Sequence, residues 1–182
     1  MRVFVAIDVP ETIRREIETL QNAIGAGRRV PAENLHLTLR FLGEQPEETV
    51  EEAHHALSTI RAAAFDLQLA GVGSFGSRSP QLIYADIARC PDLTELVRRI
   101  TRRLRQAGVE FRKQRFRPHV TIARLPKILS GFELEKVREF LAEHAAFRGT
   151  PFRVRSFELY QSTLSPRGAL HDPLASYGLD DA

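Results

Sequence analysis

Cysteine, lysine and long apolar runs are all scarce in this chain of 182 residues. Cys90 is the only cysteine, which excludes a disulfide framework and a thiolate metal cage. It stands in Ala88-Arg89-Cys90-Pro91-Asp92, where a helix should start, with no histidine close in sequence; a catalytic thiol is not expected there. No apolar stretch approaches the roughly 20 residues of a membrane span. The first apolar run, Val3 to Ile7, is too short for a secretion signal and runs into Asp8 and Pro10. A soluble, cytoplasmic protein is therefore expected. Lys113, Lys127 and Lys136 are the only lysines, and there is no glycine-rich triphosphate loop, so chemistry through an adenylated lysine has no obvious carrier. With 43% hydrophobic residues, the chain is not composed like a disordered segment. It has the length of one compact domain or two small lobes.

Arginine fills the place that lysine leaves, and it is unevenly distributed. The formal net charge is only +3, yet Arg98 to Lys127 holds eleven basic residues against one acid, Glu110. The remainder is net acidic. A basic block beside an acidic remainder points to an anionic ligand, although a solvated helix face in an arginine-rich chain has the same composition.

Hydrophobic periodicity gives the same order of elements twice. Residues 2–8 read as a buried strand; Pro10 opens a helix with Ile13, Ile17, Leu20 and Ile24 in line, ended by Gly25 and Gly27. Residues 35–42 alternate as a half-buried strand should. Pro46 starts a helix with Val50, Ala53, Leu57 and Ile60 on one face, and strands follow at 66–75 and 82–87 around Gly76-Ser77-Arg78-Ser79-Pro80. From residue 82 the pattern restarts. Pro91 opens a helix with Leu93, Leu96, Ile100 and Leu104 aligned, then come a strand at 119–124, a helix at 132–145 and a strand at 152–160. Ser165-Pro166 precedes a last extended segment. The expected fold is α+β and bilobal. Two lobes related by a pseudo-two-fold axis, over approximately 2–80 and 81–178 within a single 1–182 domain, would each have an antiparallel sheet with helices on one face.

The two middle strands carry the chemistry. Residues two apart on a strand share a face, so His36 lies beside Thr38, and His119 beside Thr121, each pair backed by apolar neighbours. A pseudo-two-fold axis would face the two pairs across a cleft. One neutral imidazole can take a proton from water while the other, protonated, gives one to a departing oxygen. The threonine hydroxyls can donate to the non-bridging oxygens of a phosphate. Strict alternation puts Arg40 on the His36 face and Arg124 on the face opposite His119, unless the strand bulges near Ala123. No carboxylate or third histidine stands at ligand spacing to His36 and His119, so neither a metal nor another cofactor is expected. His54 and His55, on a helix, and His144, near a helix end, read as structural or surface residues.

Asn34-Leu35-His36-Leu37-Thr38-Leu39-Arg40-Phe41-Leu42-Gly43 and Arg117-Pro118-His119-Val120-Thr121-Ile122-Ala123-Arg124 resemble the paired motifs of the 2H phosphoesterase superfamily. Its RNA 2′,3′-cyclic phosphodiesterase branch, also called 2′-5′ RNA ligases, is the most similar. Arg2 to Ile7 and Ser162-Thr163-Leu164-Ser165-Pro166-Arg167-Gly168 match the same branch, so the resemblance spans essentially the whole chain. It implies a bilobal fold and hydrolysis of an RNA terminal 2′,3′-cyclic phosphate to a 2′-phosphomonoester. It implies His36 as proton donor, His119 as proton acceptor, and Thr38, Thr121 and Arg124 as the phosphate contacts. Three residues after Gly168 the branch usually has tyrosine, and this chain has His171.

Candidate RNA contacts are Arg40, Phe41, Arg112, Lys113, Arg115, Phe116 and His171. Phe4 is a further candidate for stacking on a base. The expected partner is RNA with a cyclic phosphate end, or a cyclic nucleotide, bound by a monomer. A 2′-5′ ligation would be secondary and ATP-independent. The alternative is a noncatalytic RNA- or nucleotide-binding module of the same fold, which would not need two imidazoles.

Overall fold

The computed structural model describes residues 1–166 and 168–181; Arg167 of the last quoted stretch lies outside the described residues. The strands are β1 (Arg2–Asp8), β2 (Arg28–Arg29), β3 (His36–Glu44), β4 (Phe65–Leu67), β5 (Leu69–Phe75), β6 (Leu82–Ile87), β7 (His119–Arg124), β8 (Phe152–Val154), β9 (Ser156–Ser165) and β10 (Gly168–Gly178). The helices are α1 (Glu11–Ala23), α2 (Glu47–Ser58), α3 (Pro91–Gln106) and α4 (Gly131–Glu143). Fixed φ at Pro10, Pro46 and Pro91 presets the first three helix starts. At α4 a capping box does this work: Ser130 Oγ accepts from the Glu133 amide, while Glu133 accepts from the Ser130 amide. Among the described residues no helix is long and apolar enough to cross a membrane.

The class is α+β, and every strand pairing in the sheets is antiparallel. The main sheet runs β10-β9-β1-β3-β7-β6-β5, with β2 also paired to β7. Its centre is the seam where β3 meets β7 at Leu37 and Val120. Outward from the seam, β1 backs β3 and β6 backs β7 in matching register: Asp8 faces His36 and Asp86 faces His119. The apolar faces of these strands are closed by the helices' buried stripes, such as Ile13, Ile17 and Leu20 of α1 and Leu93, Leu96 and Ile100 of α3.

The expected division at residue 80 needs one correction. Residues 2–80 and 81–178 do not each close their own sheet, because β5 edges β6 and β9 pairs with β1. The two chain segments cross over side by side. β4 and β8 lead into β5 and β9 and pair with each other through Phe65–Val154, Asp66–Arg153 and Leu67–Phe152. Crossing together pairs backbone groups that would otherwise be left buried without partners.

Candidate active site

Both His-x-Thr pairs open onto one cleft of about 440 Å³, lined by His36, Thr38, His119, Thr121, Arg124 and His171 among others. The two imidazoles are fixed in the same manner. Nδ1 of His36 lies 2.7 Å from the Asn34 carbonyl, and Nδ1 of His119 lies 2.6 Å from the Arg117 carbonyl. A carbonyl only accepts, so in each ring Nδ1 carries the hydrogen, and Nε2 is left to exchange protons. Asn34 does a second job: its side-chain amide donates to the Ala169 carbonyl at 2.8 Å. That bond ties β10, which carries His171, to the residue that orients His36.

An extra residue just past each His-x-Thr pair decides which arginine reaches the cleft. In β7 the pairing steps from Tyr84–Thr121 to Ile83–Ala123, leaving Ile122 as a bulge. Ile122 and Ala123 are consequently both buried, alternation is reset, and Arg124 comes to the cleft. In β3 the pairing steps likewise from Ala6–Thr38 to Val5–Arg40, leaving Leu39 as the bulge. Here the reset corrects the sequence expectation: Arg40 does not lie on the His36 face. It is buried, and its guanidinium donates to Thr101 Oγ1 at 2.8 Å and to the Gln114 carbonyl at 3.4 Å.

The other expected residues distribute unevenly. Phe41, Arg115 and Phe116 line a second pocket of about 320 Å³ that shares Thr38 and His119 with the cleft. Phe41 is also covered by the Arg2 guanidinium, 5.0 Å from its ring centroid. Arg112 borders a different cavity, beside Glu44 and Glu110, and Lys113 is exposed. Phe4 is buried, stacked on Tyr160 and 4.9 Å from the His36 ring, so it supports His36 and is not open to a base. His54 bonds Tyr177 at 3.0 Å, and His144 Nδ1 reaches the Phe140 carbonyl at 3.0 Å. The half-buried Cys90 sits at the start of α3.

Sequence reasoning missed Arg28 and Arg29, which add positive charge to the cleft. They form β2 against Arg124 and Ala123. The signal was Gly27: its φ is +74°, and a Cβ there would stand 2.5 Å from the Arg124 carbonyl oxygen. Only glycine allows so close an approach in that conformation.

Burial governs the electrostatics of His36. The His36 pKa is lowered to about 4, first by burial, then by the charge of His171, and to a lesser extent by Arg124 and His119. The carbonyl of Asn34 works in the opposite direction. Burial, followed by Arg124, also lowers the pKa of His171. In the free protein His36 is thus a neutral base at neutral pH. Together the groups offer two oriented imidazoles, two hydroxyls and a guanidinium around a space of phosphate-ester size. Among the described residues no group of three or more His, Cys, Asp or Glu is placed to hold a metal ion.

The family model described as the 2′-5′ RNA ligase superfamily matches residues 9–164. Two curated relatives are both named RNA 2′,3′-cyclic phosphodiesterase. One, from Archaeoglobus fulgidus, is 30% identical over 96% of this chain and 98% of its own. The other, from Thermotoga maritima, is 32% identical over 96% of this chain and 93% of its own. The E. coli LigT structure in its apo form superposes with a TM-score of 0.78 at 27% identity, covering 98% of this chain and 96% of that one. LigT has also been solved with 3′-AMP, at a TM-score of 0.76, and with phosphate, at 0.75.

Proposed function

The chain belongs to the 2′-5′ RNA ligase superfamily, and from that membership we propose that it is an RNA 2′,3′-cyclic 3′-phosphodiesterase. It opens the terminal cyclic phosphate to a 2′-phosphomonoester. The observation that carries this reading is the pair of imidazoles, each with Nδ1 held by a carbonyl two residues back, on a cleft they share with two threonines and Arg124. Water attacks phosphorus and gives up a proton to one imidazole. The bond from phosphorus to O3′ breaks, and the other imidazole, protonated, supplies the proton that O3′ needs. Thr38, Thr121 and Arg124 stabilise the negative charge on the non-bridging oxygens. Metal independence follows from the same donor set, since the protons and charge are all managed by side chains. With a 5′-hydroxyl in place of water the same site would form a 2′-5′ bond, without ATP, as a secondary activity. The molecule acts as a monomer in the cytoplasm and evolved by duplication of a strand-helix-strand-helix-strand unit whose outer strands are exchanged.

The resemblance assigns His36 as proton donor and His119 as acceptor. A His36 pKa of about 4 means that a donor role requires the anionic substrate to raise it, which a phosphate placed beside the ring does. The same observation favours a second reading in which the roles are exchanged and His36 is the base. Hydrolysis of the four nucleoside 2′,3′-cyclic phosphates in the presence of EDTA tests the proposed activity. Retained turnover, with a 2′-monophosphate as product, is expected. Loss on chelation and recovery with Zn²⁺ or Mn²⁺ would overturn the two-histidine mechanism.

A further inference from the structure

Three cavities are joined in series by the residues they share. The catalytic cleft adjoins the aromatic pocket of Phe41, Phe75 and Phe116 through Thr38 and His119. That pocket in turn shares Arg40 and Phe116 with a groove of about 550 Å³ along α3. The outer groove is strongly basic. Arg98, Arg102 and Arg105 line it at helical spacing, while Leu93, Leu96, Ile100 and Leu104 turn inward.

Charge in this groove is poorly compensated. Among the described residues Arg98 pairs with Glu95, but Arg40, Arg102 and Arg105 form no ion pair with an acid. The Nε of Arg40 is buried without a hydrogen-bond partner. The guanidinium carbons of Arg40 and Arg105 both lie 5.6 Å from the centroid of the Phe111 ring. Like charges gathered on one ring, one of them buried, are costly unless an anion joins them.

We propose that an RNA strand leaves the cleft by this route: the terminal nucleoside lies in the Phe41–Phe75–Phe116 pocket, and the phosphates upstream of it lie along Arg102 and Arg105 of α3. The proposal rests on the phosphodiesterase reading, which fixes the cyclic phosphate between the two histidines. A basic track interleaved with aromatic rings is how single-stranded nucleic acid is held, with bases on the rings and phosphates on the guanidinium groups. Phe75 is itself capped by Arg117, 4.6 Å from its centroid, so stacking surface and charge alternate along the path. Arg112 and Lys113, though inside the basic block, lie off this path; Arg112 borders a cavity that also holds Glu44 and Glu110.

The test compares a nucleoside 2′,3′-cyclic phosphate with a series of single-stranded RNAs of increasing length ending in a cyclic phosphate. It uses the native chain, the Arg102→Glu/Arg105→Glu variant, and Arg138→Glu on α4 as a charge-reversal control that lines none of the three cavities. Native kcat/KM should rise with RNA length. The double variant should lose that gain, roughly tenfold or more, as for loss of a charge-assisted contact to phosphate, and keep its rate on the mononucleotide. Binding of an RNA ending in a 3′-phosphate should show a log–log salt slope reduced by about 1.4, or 0.7 for each phosphate contact on a single strand. The control should change neither. An unchanged length dependence and salt slope in the double variant would overturn the route while leaving the enzyme reading intact. Absence of hydrolysis by the native chain would overturn the enzyme reading, and the salt slope would still decide whether RNA occupies the groove.

Discussion

The ring of His171 stands edge-on to the ring of His36, with centroids 5.0 Å apart and planes at 73°. Phe4 lies within 5.0 Å of both centroids, so the two imidazoles share an apolar wall. Nδ1 of His171 is buried and has no hydrogen-bond partner. A protonated His171 so near would oppose protonation of His36, and its charge is the second-largest cause of the depressed His36 pKa. Replacing it by the tyrosine usual in the family removes that opposition. His171→Tyr should therefore raise the His36 pKa from about 4 toward the ordinary 6.5, moving the corresponding limb of the pH–rate profile to higher pH. NMR titration of the His36 ring measures the shift directly; an unchanged value would show that His171 does not hold it down.

The depressed His36 pKa also links stability to pH. Folded His36 titrates near 4 and unfolded His36 near 6.5, so between these values the unfolded chain binds more protons. Stability from this group is full above about pH 6.5 and is lost as pH falls through the window to about 4, by at most about 3 kcal/mol. Melting curves from pH 7 to 4 should accordingly show a smaller loss for His36→Gln than for the native chain. Inorganic phosphate, by favouring the imidazolium, should bind with proton uptake near neutral pH. Calorimetry in buffers of different ionisation heat reads that uptake, and its absence would mean that an anion in the cleft leaves His36 unprotonated.

The motif strands were legible in the sequence because alternation marks a strand and because His36–Thr38 and His119–Thr121 recur with similar flanks. Helix starts were legible at Pro10, Pro46 and Pro91 for a local reason, the fixed proline φ. The bulges were not, beyond the condition that Arg124 needed one near Ala123 to reach the cleft. Leu39 and Ile122 look like ordinary apolar strand residues, and only the pairing with β1 and β6 makes each of them the extra one. Arg40 was consequently expected on the wrong face, while Arg124 reached the cleft through the bulge that alternation alone would have disallowed. The pairing of β4 with β8 was hidden for a related reason, since contact between Phe65–Leu67 and Phe152–Val154 leaves no trace in local periodicity. Nor did Arg28 and Arg29 announce a strand, two residues being too few to show a period.

Arg124 supplies the next prediction. It lines the cleft and forms no ion pair with an acid among the described residues, so its charge is available to a phosphate. Arg124→Ala should lower kcat/KM by about 10²–10³ on mononucleotide and oligonucleotide alike, the scale for removing one donor from a developing oxyanion. Arg124→Lys should recover part of this, because charge is kept and the planar fork is lost. The exposed position of the side chain predicts near-native melting for both variants. A rate loss confined to long RNA would place Arg124 with the strand contacts and not with the reacting phosphate.

The roles of the two histidines can be separated by the leaving group. His36→Ala and His119→Ala should each cost roughly 10²–10⁴ in rate on a 2′,3′-cyclic phosphate, the span for a positioned acid or base. Neither should unfold the chain, since both side chains line the cleft. The nitrophenolate of a nitrophenyl phosphodiester departs as a stabilised anion and needs no proton. If His36 donates the proton to O3′, its loss should matter far less on this substrate, while loss of His119 should remain severe. If instead the neutral His36 of the free protein is the base, the pattern inverts: His36→Ala stays severe and His119→Ala becomes mild. The pH profile checks the outcome from the other side, because loss of the acid should remove the limb on which rate falls at high pH, and loss of the base the limb at low pH. Near-native turnover of the cyclic phosphate by either variant would sink acid–base catalysis by this pair, whichever way the roles are assigned.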